Sequence, residues 1–475
     1  MPDGRPNIIL INTDQQRGDC LGCEGHPVLL TPTMDGLAAQ GVRFTHFYAG
    51  SPSCIAVRRS MLSGRHCQTH GMVGYRGNVE WDAPPTLPGV LRDAGYQTRL
   101  IGRSMHQHPP AKRYGFEEME TNRADGVSDY TDWLDEAGPR GHGGWFGGGV
   151  MHNDYTAHPW PLDEHLHFTN WTMHRTLRFL ERRDPSCPYF LTIGFIAPHP
   201  PLQPPAPYFE RYLRTGVPEP HIGDWAEPPA FGEGGEHVAP QRVNLTGEAL
   251  LSARAAYYGL INHVDDQLRR LLNPVIGIGR DLDRDTIVVF TSDHGEMLGD
   301  HYLWRKSRAY EAAARVPFIV RAPERFGLRR TSVVDAPCTH ADIMPTLLEM
   351  AGVAIPESVD GRSLLPLMRG EATDWREYVH IEHAPENMGL TDGYEKYIWD
   401  PGDGAEQFFD LREDPNECRD LIGGGAHSER IALWRSRLIE ELHDRPEGFV
   451  EDGDLVAGRP WSAVIPGRGD LLPGD

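Results

Sequence analysis

Asp14-Gln15 and Asp293-His294 are two adjacent pairs of metal-ligand type, each closing an apolar run. Two carboxylates gathered in one dry place would repel each other, and a divalent cation removes that repulsion. The donors on offer are two carboxylates, an amide oxygen and an imidazole. Hard oxygen donors suit calcium, magnesium or manganese, and the imidazole nitrogen moves the balance towards manganese or zinc. Taken singly, each aspartate reads equally well as a helix cap; the repetition of the pair favours a metal site.

A nucleophile candidate lies in Ser51-Pro-Ser-Cys54-Ile-Ala-Val-Arg58-Arg-Ser-Met-Leu-Ser-Gly64. The stretch from Ile55 to Ser63 has the composition of a short helix closed by Gly64. Cys54 would then stand at the positive end of that helix, where thiolates and oxyanions are stabilised. Arg58, one turn on, has the fork geometry to grip an anion.

The elements that must position these groups are legible from apolarity. Asn7–Asp14, Gln97–Gly102, Tyr189–Ile196 and Thr286–Asp293 are β-branched and apolar on both faces, as strands buried between two layers are. Leu87–Ala94, Thr169–Leu180 and Ala249–Leu272 read as amphipathic helices between them. The alternation implies an α/β fold around a mostly parallel sheet. Ligands of such sheets bind beyond the carboxyl ends of the strands. Asp14, Arg103 with His106, His199 and Asp293-His294 would all meet at that edge. Asp125–Pro161 is rich in Gly, His and Trp without period and reads as a long loop excursion. Its indoles, with Trp171, either line a pocket or pack, and packing is the plainer reading. Pro198–Pro207 is Pro-dense and extended. Past Gly370, Tyr378–Glu382, Tyr397–Asp400 and Gln407–Leu411 read as short strands and His427–His443 as a helix, a small α+β unit. The expected division is a catalytic α/β domain over 1–370, a C-terminal α+β subdomain over 371–443 and an extended tail over 444–475. Asp281–Asp285 starts like a calcium loop but lacks its later ligands and reads as a surface turn.

Composition limits the partners. The chain has 475 residues and a formal net charge of −22. A surface that acidic argues against nucleic acid or an anionic membrane as the main partner. The apolar run Ile8–Ile11 is too short for a signal-peptide core, and no stretch is long enough to span a bilayer, so the expected location is the cytoplasm. Seven scattered cysteines are no disulfide framework in that compartment.

Taken in order, these motifs resemble the sulfatase family of the alkaline phosphatase superfamily. The family signature Cys-x-Pro-Ser-Arg corresponds to Cys54-x-Ala56-Val57-Arg58, continuing to Ser63-Gly64. A second signature matches Thr291-Ser-Asp293-His-Gly295-Glu, Gly299-Asp-His301, Trp304-Arg-Lys306 and Arg315-Val-Pro317. Asp342-Ile-Met-Pro345, Gly361-Arg-Ser-Leu-Leu365, Phe409-Asp-Leu411 and Asp414-Pro415 extend it over most of residues 6–425. The resemblance implies an alkaline-phosphatase-like fold and one divalent metal, manganese or calcium, on Asp14, Gln15, Asp293 and His294. The Asp-Gln and Asp-His pairing looks like the branch that holds choline sulfatases and phosphonate monoester or phosphodiester hydrolases. It implies oxidation of Cys54 to formylglycine by a formylglycine-generating enzyme. One hydroxyl of the aldehyde hydrate attacks sulfur or phosphorus, and deprotonation of the other expels the oxyanion. Arg58 would orient the hydrate, Lys306 would neutralise the transferring group, and His199 would protonate the leaving oxygen. Asn78 would lie near the anion.

The chain departs from the family pattern at two places. Ala56 stands where the modifying enzyme usually reads proline, so maturation depends on that enzyme accepting alanine. The family's Gly-Lys-x-His is Gly102-Arg-Ser-Met-His106 here. Aligned from Gly102, Arg103 takes the lysine's place; aligned from His106, the lysine becomes Ser104. The leading expectation is hydrolysis of a small anionic sulfate monoester. The alternatives are a phosphonate monoester or phosphodiester hydrolase on the same site, or an inactive anion-binding relative. Cys54 speaks against a metal phosphatase with a Ser or Thr nucleophile. A homo-oligomer held by the tail is a further possibility.

Overall fold

A computed structural model describes residues 4–122, 128–230, 240–273, 285–371 and 374–467. Its centre is an eight-stranded sheet. The strands are β1 (Asn7–Asp14), β2 (Val42–Phe44), β4 (Gln97–Gly102), β5 (Glu118–Thr121), β6 (Tyr189–Pro198), β7 (Thr286–Ser292), β8 (Phe318–Arg321) and β9 (Ser332–Val334). A separate two-residue strand, β3 (Phe47–Tyr48), pairs with β10 (Cys338–Thr339). The order across the main sheet is β5-β4-β6-β1-β7-β8-β2-β9, and only β8 runs against the others.

The two-sided apolarity of the four long runs has a direct cause. Along β1, Ile9 and Ile11 enter one buried cluster, with Trp171, Leu260 and Val264 from the helices Phe168–Arg182 and Gly247–Leu272. Ile8 and Leu10 enter the opposite cluster, with Met61, Leu91 and Leu347 from Cys54–Ser63, Leu87–Asp93 and Ile343–Ala351. The two-residue period of a strand therefore feeds both layers. Adjacent strands also demand close approach: Gly102 has φ +99°, and a Cβ there would lie 2.0 Å from the Gly194 carbonyl. No other residue type fits that position.

Residues past Gly370 build an antiparallel four-stranded sheet: β11 (Val379–His383), β12 (Asn387–Thr391), β13 (Glu395–Trp399) and β14 (Glu406–Asp410). The helix Ser428–Leu442 covers it through Trp434, Leu438 and Leu442. The strand β12 escapes sequence reading because Asn387-Met-Gly-Leu-Thr391 mixes strand-averse with strand-prone residues.

Three readings need correction. The Asp125–Pro161 excursion holds a helix, Asp129–Ala137, started by a Ser128–Thr131 capping box. Its Tyr130 is core with Trp145 and Trp171, so those two indoles pack, as the plainer reading expects. The Pro-dense stretch ends in another helix, Ala206–Thr215, with Pro205 before it. The tail forms a hairpin (Val450–Glu451 with Asp454–Leu455) and then docks on its own chain. Val73 N–H donates to Ala463 O at 2.9 Å, and Ile465 packs on Ile55, Ala56 and Met72. The tail thus braces the start of the Cys54 helix from behind. Asp281–Asp285 falls largely outside the described residues. No described helix is long and apolar enough to cross a membrane.

Several histidines are buried neutral, which fixes a pH dependence. Burial pushes His263 down to about 3 and His340 down to about 4. The unfolded chain binds their protons near pH 6.5, whereas the folded one does so only below those values. Stability is therefore full above about pH 6.5 and falls as pH drops towards 4, by roughly 3 kcal/mol for a shift of the His340 size. His263 lies between the rings of His167 and Tyr208, both at 4.8 Å. His263→Phe keeps that packing and is expected to flatten the slope of the urea midpoint between pH 7 and 5. An unchanged slope would remove His263 as a source of the acid sensitivity.

Candidate active site

The register of the sheet gathers the expected residues. Thr13 pairs with Ser292, Asp14 with Pro198 across a bulge, and Gly102 with Gly194. The chain then leaves each strand with Gln15, His199, Arg103 and Asp293. A ten-residue helix (Cys54–Ser63), every residue of it buried, points its first residue at the same edge. It closes at Gly64 (φ 66°), whose N–H donates to Ser60 O at 2.8 Å.

Asp14, Cys54, Asp293 and His294 form the heart of the site. One ligand atom from each lies within 4.8 Å of all the others, and all are buried. Cys54 Sγ is 3.3 Å from His294 Nε2 and 3.9 Å from Asp14 Oδ1. Lys306 Nζ donates to Sγ at 3.6 Å and to Gln15 Oε1 at 2.9 Å. Burial and Asp14 oppose ionisation of the thiol, but Lys306, His294 and a hydrogen bond from His106 outweigh them and hold it well below the ordinary thiol range.

The carboxylates are tied by arginines. Arg58 donates from Nε to Asp293 Oδ2 and from Nη2 to Asp14 Oδ2, both at 3.0 Å, and from Nη1 to Ser104 O at 2.6 Å. The guanidinium is 1% exposed and faces the two aspartates, so it clamps them rather than reaching into open space. Spacing alone suggests a grip on an anion; in this structure the fork is taken up by the two aspartates. Arg103 adds a third bond, from Nε to Asp14 Oδ2 at 3.0 Å. Burial raises Asp14, but His199, Arg58, Arg103 and His294 bring it well below the carboxylate range. Asp293 goes the other way, raised by burial and by Asp14.

Gln15 is held in an uncommon shape. Its φ is 73°, its carbonyl accepts from Tyr257 OH at 2.6 Å, and its N–H donates to Asp293 Oδ1 at 3.1 Å. Its side-chain N–H₂ donates to Glu296 Oε2, which also fixes which end of the amide is oxygen. Oε1 is thereby turned to Lys306 and the cluster. The other oxygen of Glu296 accepts from Leu298 N and Arg305 N, so one carboxylate orients both Gln15 and the Lys306 turn. Glu296 follows the Asp-His-Gly motif directly, the only signal that could have marked it. Oxygen donors from Asp14, Asp293 and Gln15 with the His294 imidazole suit a hard divalent cation with a nitrogen ligand.

His199 is 5% exposed, and its N–H donates to Asp14 O at 3.0 Å. Its Nδ1 lies 2.7 Å from Pro200 O. A carbonyl only accepts, so Nδ1 carries a proton and Nε2 is the variable position. Burial first, then Lys306, keeps this imidazole well below the ordinary histidine range. His152 uses the same carbonyl, at 2.9 Å, and its ring stands 5.5 Å from that of His199. Its aperiodic stretch hid it from sequence reading. Asn78 (φ 59°) is the outlier: it is exposed, lines a cavity with His106, and is not among the groups bonded to the cluster.

Comparison with known proteins agrees with this geometry. The family model "Sulfatase" matches residues 6–353, and "N-sulphoglucosamine sulphohydrolase, C-terminal" matches 299–444. The chain belongs to the sulfatase family. It is a sulfuric ester hydrolase of the alkaline phosphatase superfamily by that membership. The sulfatase is 38% identical to an arylsulfatase of Clostridium perfringens over 97% of its own length and 99% of the relative's. It is 31% identical to a choline-sulfatase of Rhizobium meliloti over 98% and 87% of the two chains. Its fold is that of the phosphonate monoester hydrolase of Agrobacterium radiobacter, with a TM-score of 0.77 at 23% identity, over 96% of this chain and 100% of that one.

Proposed function

We propose that this sulfatase hydrolyses sulfate monoesters with a formylglycine made from Cys54. The observation that carries the reading is the Cys54 thiol at a helix start, 3.6 Å from Lys306 Nζ and 3.3 Å from His294 Nε2. The hydrated aldehyde supplies one hydroxyl to attack sulfur and a second whose deprotonation releases sulfate and restores the aldehyde. Asp14, Gln15, Asp293 and His294 would hold one divalent cation, manganese or calcium. Bound there, the cation supplies Lewis-acid polarisation of the ester and offsets the two carboxylates.

The side chains divide the remaining work. Arg58 and Arg103 keep Asp14 and Asp293 together despite their mutual repulsion. Lys306 places a positive charge beside the nucleophile, where the sulfuryl oxygens gain charge. His106 reaches the same atom from the Gly102 turn. His199, once protonated at Nε2, gives that proton to the departing ester oxygen. Asn78 is assigned to the outer part of the anion's surroundings. Maturation by a formylglycine-generating enzyme, a cytoplasmic location and the division at residues 370 and 443 belong to the same proposal.

A second reading is hydrolysis of phosphonate monoesters or phosphodiesters on the same site. The pairing of Arg103 with Asp14 leaves Lys306 as the cation beside the nucleophile, which suits any singly charged ester, a sulfate monoester as well as these, better than a dianion. Rates on nitrophenyl sulfate and on a nitrophenyl phosphonate monoester separate the two. The sulfatase reading expects the sulfate to be the better substrate by kcat/KM, and the reverse order would transfer the assignment.

Metal dependence is the companion test. Stripping with a chelator is expected to lower kcat by about 10²-fold or more and to lower Tm, with manganese restoring both. Asp293→Asn is expected to weaken that rescue. Full activity after verified metal removal would contradict the ligand assignment.

A further inference from the structure

Beside the nucleophile lies a cavity of about 220 Å³ lined by Tyr75, Arg76, Asn78, Arg103, His106 and His108, among others. Its walls include Ile55, the residue after Cys54, so it adjoins the reaction centre. Among the described residues, none that lines it is Asp or Glu. That is unexpected in a chain with 68 acidic against 46 basic residues. The overall field of such a chain repels anions, so a site lined only by cationic and neutral groups is a local reversal of that field.

The two arginines of this wall differ. Arg103 is buried and its charge is met by Asp14 at 3.0 Å. Arg76 is exposed at the rim and has no carboxylate partner among the described residues, so its fork is open to a ligand. Tyr75, 55% exposed, stands edge-on to the His106 ring at 6.0 Å and offers an aromatic face next to that fork. Asn78, in the left-handed region at φ 59°, adds an amide. A flat group carrying a carboxylate or sulfate would meet a ring, a bidentate donor and no competing acid there.

We propose that this cavity is a subsite for a second anionic group on the organic half of the substrate. The proposal rests on the sulfate-ester reading of the neighbouring site and narrows it: the preferred esters are acidic ones, such as sulfated aryl or sugar acids or disulfates. A cationic organic half is disfavoured.

Three matched nitrophenyl sulfates test it, one plain, one with a ring carboxylate and one with a ring trimethylammonium. The wild-type protein with converted Cys54 is expected to favour the carboxylate by kcat/KM and the ammonium least. Arg76→Ala is expected to cost about tenfold on the carboxylate substrate and less than twofold on the plain one, with Arg76→Lys recovering part of the loss. Raising salt should erode the carboxylate preference. A preference for the ammonium, or equal losses on both substrates, would overturn the subsite. If none of the three turned over, the sulfate-ester reading would fail by itself. Calorimetric binding of the carboxylate-bearing phenol to wild type and Arg76→Ala would still decide the subsite, equal affinities refuting it.

Discussion

Cys54→Ala is expected to lower kcat/KM on sulfate esters by at least about 10⁴-fold while leaving the protein folded. The side chain is 2% exposed, yet it contributes little packing: its thiol touches His294, Lys306 and Asp14 rather than the apolar clusters. Alanine keeps the Cβ and the helix start, so Tm should hold within a few degrees. The loss comes from the nucleophile alone, because Asp14, Asp293, Arg58 and Gln15 keep their mutual bonds without it. A variant retaining more than about a tenth of the activity would mean that another group attacks the ester.

His199→Ala is expected to show a loss that depends on the leaving group. For an alkyl or sugar sulfate the departing oxygen is a strong base, and removing the proton donor should cost about 10²- to 10⁴-fold in kcat. For a dinitrophenyl sulfate the oxygen leaves as a stable anion, and the cost should shrink below about tenfold. The structure gives the residue the means: Nδ1 is fixed on Pro200 O at 2.7 Å, leaving Nε2 as the atom that gains and loses the proton. Equal losses across leaving groups would make the His199 side chain an electrostatic support for Asp14 rather than the acid, since the backbone bond from His199 N–H to Asp14 O survives the substitution.

Most of the site was legible because it lies where buried strands end. Asp14, Arg103, His199 and Asp293 each follow an apolar run, and the parallel register of β4, β6, β1 and β7 brings those ends together. Sequence leaves either Arg103 or Ser104 in the place of the family's lysine, and the fold sets the Arg103 side chain on Asp14. The backbone turns through the left-handed region at His106 (φ 54°), and the Arg103 and His106 side chains both face the cluster, one bonding Asp14 and the other Cys54.

What sequence could not show depends on packing from distant segments. Arg58 has the spacing of an anion grip, but its partners are set by where Asp14 and Asp293 fall. Glu296 and Tyr257 act on Gln15 from separate elements. The outer strands β2, β8 and β9 have three or four residues each, too short for an alternation to register. The tail reads as Pro/Gly-rich and extended, yet Ile465 lies 1% exposed against the helix that presents Cys54.

The central claim is that catalysis passes through an aldehyde made at Cys54. Protein produced with graded amounts of a formylglycine-generating enzyme would supply a series in which the aldehyde fraction is read by mass from the tryptic peptide Phe44–Arg58. Nitrophenyl sulfate turnover is then plotted against that fraction. The expected result is a straight line through the origin, with Ala56 setting only how much protein is converted. Turnover that stays constant while the aldehyde fraction changes would contradict the claim and return the chemistry to an unmodified residue.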